Sequence, residues 1–594
     1  MEFLENPIVT AVAACAVTAI AMLMSRNVGK KVSTRTKVSK AGQEKPNSHL
    51  CNHTKIFEEQ VVKVSENVYC AVGYALANTI MIEGPKSIII IDVAESNDAA
   101  RDVMCEFRKI TDKPVGGIIY THFHADHVGG TEVFLEHAKD GKPENVPIWA
   151  HQTTGARMLQ FNSIMGPIAH YRAAHQFGMY LEKPALENCG IGPRLRAGQN
   201  ESVSQVVPTH VYSGKHEDIE IDGVKLRLIY APGETDDQTV VFYENGKILF
   251  AADNFYESFP NLYAVRGVPN RDTMQWARSI DIMIETHPEI MVPSHSLPVV
   301  GGDEVNRRLV NYRDAIQFVH DQSVRHILAR RHPDEISALV QLPEHLRSEE
   351  YLKEFYGTVG WSAKSVFAGY LGWFSGFEED LWKLTPGDYA DRIVKMVGST
   401  SKVLQAAEEA YAEGDLQWAL ELCTYLLRHD RGDTKRAQEL KIDTLCKLAN
   451  TQISANGRNW YMTTVAHQAE GLEIKVSPEQ RTKAVSNMPH TSMWASLQVR
   501  LKAEVVDGKK HSLCFKIKDP QSSWTLYIRN SVLHFVNKAD DQADVIVDCT
   551  DESLRRLMAN PASIAGSWVT GKFRFEKGSM ASFAAFFSNF ERGL

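Results

Sequence analysis

One stretch constrains this chain more than any other: Tyr120-Thr-His-Phe-His-Ala-Asp-His-Val-Gly-Gly130, set directly after the strand-like run 115–120. His122, His124, Asp126 and His127 put three imidazoles and a carboxylate within six residues. Neutral imidazole and carboxylate are donors suited to zinc and similar divalent ions. A loop at a strand's end aims alternate side chains in different directions, so it can serve two adjacent metals. The spacing is specific, and its place after a strand is the one its chemistry requires.

One loop cannot fill two coordination spheres, so more ligands are expected at later strand ends. Ala231-Pro-Gly-Glu234 closes the run 224–230, Ala251-Ala-Asp253 closes 248–252, and Pro293-Ser-His295-Ser-Leu-Pro298 closes 290–292. Taken singly, Asp253 reads equally as a helix cap and His295 as a turn histidine. Four strand-end ligand sets in succession point to one centre.

The rest of the chain shows how that centre is carried. Strand-like runs begin near residue 68, include Ser87-Ile-Ile-Ile-Ile-Asp92, and alternate with helical patterns over 99–110 and 271–286. Such alternation predicts an α/β layered domain over 60–305. From 306 to 450 apolar residues recur at helical spacing, as in Val403, Ala406, Ala407 and Ala410, with nothing arranged for catalysis. A linker is expected over 451–484. Beyond it Leu497, Val499, Leu501 and Ala503 alternate with polar residues, Asp507-Gly508 reads as a hairpin turn, and 485–594 reads as a small α+β domain.

The first residues carry a different message. Residues 8–24 form an apolar run of a length at the lower limit for a transmembrane helix. Arg26, Lys30, Lys31, Arg35, Lys37 and Lys40 follow it. This predicts a membrane anchor over 1–25 and a basic linker over 26–59, with the catalytic domain on the cytosolic side. The rival is a cleaved signal and a secretory location, towards which the sequons at Asn52 and Asn200 lean. The run lacks the basic start and small-residue end of such signals. A net charge of −8 over 594 residues argues against nucleic acid as a partner. The nine cysteines form no CxxC pair, so neither a disulfide framework nor a thiolate zinc site is supported.

The order HxHxDH, Pro-Gly-ligand, strand-final Asp, late His resembles the metallo-β-lactamase superfamily. Its fold is an αββα sandwich around a two-metal site. Asn261-Leu-Tyr-Ala-Val-Arg266-Gly, Arg271-Asp272, Trp276, Tyr356-Gly-Thr-Val359 and Tyr370-Leu-Gly-Trp-Phe-Ser-Gly376 are similar to the alkyl sulfatase branch. That branch adds an all-α dimerisation domain and a C-terminal α+β domain like sterol carrier protein type two, which Val569-Thr-Gly-Lys-Phe-Arg-Phe575 resembles.

The resemblance implies a homodimer that hydrolyses alkyl sulfate esters with two zinc ions per subunit, releasing inorganic sulfate and an alcohol. His122, His124 and Glu234 would hold one ion and Asp126, His127 and His295 the other, with Asp253 bridging and a bridging hydroxide as nucleophile. Asp126 and Asp253 would be the catalytic carboxylates, keeping the pair from being over-charged for an anionic substrate. Arg266 would clamp the sulfate with its planar fork, and Tyr263 would add a hydroxyl or simply pack. The C-terminal domain would receive the alkyl chain or serve structure alone.

Two departures from the branch stand out. Its bacterial members carry the ligand glutamate one residue later, after Pro-Gly-Thr, which leaves Asp236 and Asp237 as competitors of Glu234. They also bridge with glutamate rather than aspartate. Hydrolysis of a thioester, lactone or phosphodiester is the alternative activity, and a membrane-tethered lipid-binding protein with an inactive site is the non-enzymatic one.

Overall fold

A computed structural model describes residues 45–161, 164–198, 201–429, 434–475, 478–486, 488–560 and 571–591. The described residues divide into two compact units, of which the larger holds 45–158 and 169–475 and the smaller holds those from 478 onward with a short stretch before 169.

The larger unit is built on two sheets. The first runs in the order β1 (Gln60–Lys63), β2 (Val68–Val72), β3 (Thr79–Glu83), β4 (Ile88–Ile91), β5 (Val115–Ile119), β6 (Ile148–His151), β7 (His210–Tyr212). The second contains β8 (His216–Ile221), β9 (Val224–Tyr230), β10 (Thr239–Tyr243), β11 (Ile248–Ala252), β12 (Ile290–Pro293) and β13 (Val299–Val300), ordered from β13 to β8. The pairs β4–β5, β5–β6 and β6–β7 are parallel, as is β11–β12.

Strict alternation explains why the central strands read as unbroken apolar runs. Ile89 and Ile91 join Ile219, Leu228, Val241 and Phe250 in the core between the sheets. Ile88 and Ile90 face the other way, onto Val103, Met104 and Phe107 of the helix Asn97–Phe107. The second sheet repeats the arrangement, with Val240, Phe242, Leu249 and Ala251 turned towards Trp276 and Ile280 of Thr273–Glu285 and Leu309, Ile316 of Gly302–Leu328. A strand buried on both faces has no polar side to show. The result is the expected αββα sandwich.

The helical region is part of the same unit. Helix pairs such as Thr400–Glu413 and Leu416–His429 meet at the Gly414 stop, where φ is +87°. Residues 451–484, expected to be a linker, instead contain Ala455–Val465, a helix with eight buried residues including Arg458 and Asn459. Part of the expected basic linker is also folded: Ser48–His53 buries Leu50 and His53.

The smaller unit has a five-stranded sheet: β14 (His511–Lys518), β15 (Gln521–Arg529), β16 (Val532–Val536), β17 (Val545–Cys549) and β18 (Phe573–Lys577), ordered β16-β15-β14-β17-β18. Its core gathers Trp494, Phe515, Trp524, Phe573, Phe583 and Phe586. The hairpin is one turn later in sequence than expected, joining β14 to β15 rather than turning at Asp507-Gly508. The four-residue alternation from Leu497 is too short to outweigh the helix His490–Gln498, which buries Met493, Trp494 and Leu497 at helical spacing and leaves Val499 exposed.

The expected membrane anchor over residues 8–24 lies outside the described residues. Among the described residues no helix is long and apolar enough to cross a membrane. Even the 27-residue Gly302–Leu328 is amphipathic, with an acidic first turn and a basic last turn. Attachment through an N-terminal helix is thus unsupported. The expectations of a membrane partner, of a transmembrane helix and of a membrane-anchored location with the catalytic domain in the cytosol are withdrawn.

Candidate metal centre

Four strand ends converge on one spot, at the carboxyl edge where α/β sheets place their chemistry. His122, His124, Asp126 and His127 follow β5, Glu234 follows β9, Asp253 follows β11 and His295 follows β12. Two sets of donor atoms result: His122, His124, Glu234 and Asp253 in one, Asp126, His127 and His295 in the other.

Asp253 links them. Its Oδ2 lies 3.7 Å from His122 Nε2, and its Oδ1 lies 3.5 Å from His127 Nε2 and 3.3 Å from His295 Nε2. In the first set Glu234 Oε2 is 3.5 Å from His124 Nδ1. In the second Asp126 Oδ2 is 3.5 Å from His127 Nε2 and 3.6 Å from His295 Nε2. Donors about 2.0–2.2 Å from a tetrahedral zinc stand about 3.3–3.6 Å from one another. The donors therefore have the spacing of ligands around a shared ion. His127 Nε2, His295 Nε2 and Asp253 Oδ1 are also buried with no hydrogen bond of their own. A buried polar atom without a partner is costly, and a metal ion is what this donor set fits.

In the metal-free site the buried acids and imidazoles compensate one another's charge. Burial pushes the Asp126 carboxyl up, but His127, His295 and His124 hold it well below the usual carboxylate range. Asp253 is likewise depressed: burial raises it, and His295 and His127 outweigh that. Burial together with His127 and His124 pushes His122 well below its usual value, leaving it neutral as a ligand must be.

A second layer aims these side chains. Asp92, at the end of β4, was not among the expected site residues. It accepts hydrogen bonds from His127 Nδ1 at 2.7 Å, Thr121 N at 2.9 Å, Thr121 Oγ1 at 2.9 Å and Ser294 Oγ at 3.0 Å. His295 Nδ1 is 2.9 Å from the Leu76 carbonyl oxygen. Leu76 N donates in turn to the buried Glu95 carboxylate at 3.1 Å. Arg271 Nη1 donates to Glu234 Oε1 at 2.8 Å, with both side chains buried. The backbone is strained where these residues sit: φ is +59° at Asp92, +62° at Ala94, +51° at Ala252 and +71° at Ser296. Left-handed backbone at non-glycine residues gathers where function over-determines it. A Cβ at Gly130 would strike the Val93 carbonyl, and one at Gly233 would strike the Asn254 side chain and Trp276, so each ligand loop lies flush on its neighbour.

The competing carboxylates stay out of both sets. Asp236 is exposed and paired with Arg157. Asp237 is buried, with its carboxyl pushed up by that burial. Arg266 is buried, and its Nη2 lies 3.2 Å from His124 Nε2. Tyr263 is half-buried on the same loop, outside both donor sets. Two further groups come from unexpected places. Asn261 has its side-chain amide buried without a hydrogen bond, while its carbonyl accepts from Arg271. Tyr356 comes from the helical region, where nothing catalytic was expected. Its hydroxyl is 3.5 Å from Gln176 Nε2, and it interacts electrostatically with Glu234, Arg266 and Asp126.

Comparison with known proteins agrees with this architecture. Family models match over residues 73–295 (metallo-beta-lactamase superfamily), 332–471 (alkyl sulfatase dimerisation) and 479–593 (alkyl sulfatase C-terminal). A linear primary-alkylsulfatase from Pseudomonas sp. is 32% identical over 526 residues, covering 86% of this chain and 98% of the relative. The alkyl/aryl-sulfatase BDS1 of Saccharomyces cerevisiae is 28% identical over 84% of this chain and 77% of its own length. The solved structure of the stereoselective inverting sec-alkylsulfatase Pisa1 from Pseudomonas sp. superposes with a TM-score of 0.82 at 22% identity, over 98% of this chain and 97% of that one. The chain belongs to the alkylsulfatases, sulfuric ester hydrolases built on the metallo-β-lactamase fold.

Proposed function

We propose that the chain hydrolyses alkyl sulfate esters at a pair of divalent ions, zinc by the imidazole and carboxylate character of the donors. His122, His124 and Glu234 would hold one ion, Asp126, His127 and His295 the other, and Asp253 both. The observation that carries this reading is the Asp253 carboxylate, whose two oxygens face the two donor sets. Such a pair supplies Lewis acidity and a water acidic enough to attack near neutral pH.

The chain's own groups do the rest. Three carboxylates set against two divalent cations leave one net positive charge, and Asp92 and Arg271 just outside cancel each other. Arg266 adds a second positive charge beside His124. A sulfate monoester, with its single negative charge, is therefore drawn in and oriented by the planar guanidinium. The Tyr356 hydroxyl and the Asn261 amide are placed to donate to the remaining sulfate oxygens, and the Tyr263 hydroxyl is a further candidate. Burial of Arg266, Tyr356 and Asn261 strengthens each of these contacts by excluding water. The helical region would pair two subunits, as the name of its family model suggests.

The test is release of inorganic sulfate from a medium-chain alkyl sulfate by the metal-loaded protein, beside Arg266→Ala and a panel of thioester, lactone and phosphodiester substrates. Sulfate release that falls by two orders of magnitude or more in Arg266→Ala supports the reading. Turnover of another ester without sulfate release would overturn it.

A further inference from the structure

Arg266 reaches the metal centre from a loop, so its guanidinium is only as well placed as its backbone. That backbone is gripped by the helix Gly166–Phe177. Arg172 Nε donates to the Arg266 carbonyl at 2.6 Å, and its Nη2 donates to the Val265 carbonyl. Four residues on, and so on the same helix face, the buried Gln176 accepts the Arg266 N–H through Oε1 at 3.0 Å. The amide nitrogen of the same Gln176 faces the Tyr356 hydroxyl.

The grip is braced from behind. The Arg172 guanidinium lies over the Trp460 indole, 5.2 Å from its centroid, and the His175 ring packs 5.1 Å from the same indole. Trp460 belongs to Ala455–Val465, which also supplies Asn456, donating to the Tyr356 carbonyl at 2.9 Å. Two helices thus fix the loop of Arg266 and the position of Tyr356 together. Only a planar fork with spaced donors can bridge two consecutive carbonyls and stack on an indole at once, which a lysine cannot do.

We propose that Arg172 and Gln176 are positioning residues that hold Arg266 as the anion clamp for the substrate's sulfate group; this rests on the reading of Arg266 given above. Neither touches the ester. Both act by keeping the loop in its binding-competent arrangement, and an apparent affinity falls in proportion to the fraction of molecules in that arrangement.

The experiment uses the metal-loaded full chain and three variants, Arg172→Ala, Arg172→Lys and Gln176→Leu, with Arg266→Ala and the double variant Arg172→Ala/Arg266→Ala alongside. KM, kcat, inhibition by inorganic sulfate, bound metal and hydrogen exchange over residues 261–267 are measured. Arg172→Ala is expected to raise KM and the sulfate inhibition constant by about tenfold, with kcat within threefold, metal content unchanged and faster exchange across the loop. Arg172→Lys should recover only part of this. Adding Arg172→Ala to Arg266→Ala should raise KM no further, because residues acting through one another are not additive. Unchanged KM and unchanged exchange in Arg172→Ala and Gln176→Leu, with Arg266→Ala still raising KM, would overturn the clamp. Unchanged KM in Arg266→Ala itself would instead overturn the anion-binding reading on which the clamp depends.

Discussion

Asp92→Asn is the most revealing single change in this molecule. Asparagine keeps the shape of the side chain and tolerates the left-handed backbone at φ +59°. What changes is the proton inventory. Asp92 Oδ1 accepts from Thr121 N, so the asparagine oxygen stays there and its NH2 takes the place of Oδ2. Oδ2 receives His127 Nδ1, Thr121 Oγ1 and Ser294 Oγ. The two hydroxyls can rotate to accept instead of donate. The imidazole has no such freedom: to accept at Nδ1 it must carry its proton on Nε2, the atom that faces Asp126 and Asp253. The ligand lone pair is then lost. The lost bond is 2.7 Å long and charge-assisted, a class worth about 1.5–3 kcal/mol. That converts to a fall of about 10- to 150-fold in affinity at the Asp126–His127–His295 set, while the His122–His124–Glu234 set changes little. Competition against a chelator of known zinc affinity separates the two sites, and circular dichroism checks the fold. Two wild-type affinities in a folded Asp92→Asn protein would refute the argument that Asp92 fixes the His127 tautomer.

Other perturbations read other parts of the account. In Arg271→Met the Glu234 carboxylate is left buried without its cation, so the metal-free protein should be destabilised by about 3 kcal/mol, and zinc should restore much of that; equal melting points with and without the substitution would contradict it. Burial raises the Glu95 carboxyl to about 7, so in the metal-stripped protein the protonated form is favoured by folding. Stability should fall as pH rises from about 4.5 to 7 and then level off, a loss of about 3 kcal/mol from this group. Denaturant midpoints at pH 5 and 8 should therefore differ less in Glu95→Gln than in the wild type, and an unaltered difference would remove Glu95 as the cause. In the helical region Trp382 is 90% and Trp373 76% exposed, within the span matched by the dimerisation model. Trp373→Glu/Trp382→Glu should shift the protein from dimer to monomer in light scattering, and an unchanged dimer would place the interface elsewhere.

The sequence declares those parts of the site whose residue type is dictated by chemistry. His122, His124, Asp126, His127, Glu234, Asp253 and His295 could be picked out because each follows closely on a strand and carries a group able to bind a metal. Asp92 ends a strand too, after four isoleucines, yet an aspartate there reads as an ordinary turn residue. Its role depends on β4 lying parallel to β5, with Ile91 paired to Ile119, and that is a tertiary fact. Arg172 and Gln176 are harder still, since they approach Arg266 from a helix about 90 residues earlier in the chain, and so is Tyr356, which stands in a loop about 90 residues later. Secondary structure failed where the pattern was short. The alternation at 497–503 covers too few positions to tell a strand from a helix end, and the buried helix 455–465 is so rich in Asn, Thr and Arg that it looks like a connection.

The central claim is that two metal ions held by one shared aspartate hydrolyse a sulfate ester. It is tested most directly by stripping the protein, adding zinc in measured equivalents and following sulfate release from an alkyl sulfate together with metal bound per chain. The account predicts that activity climbs until two ions are bound per chain, and that Asp253→Asn prevents the second from binding. Full sulfate release from the stripped protein, or a plateau at a single ion with Asp253→Asn unimpaired, would contradict it.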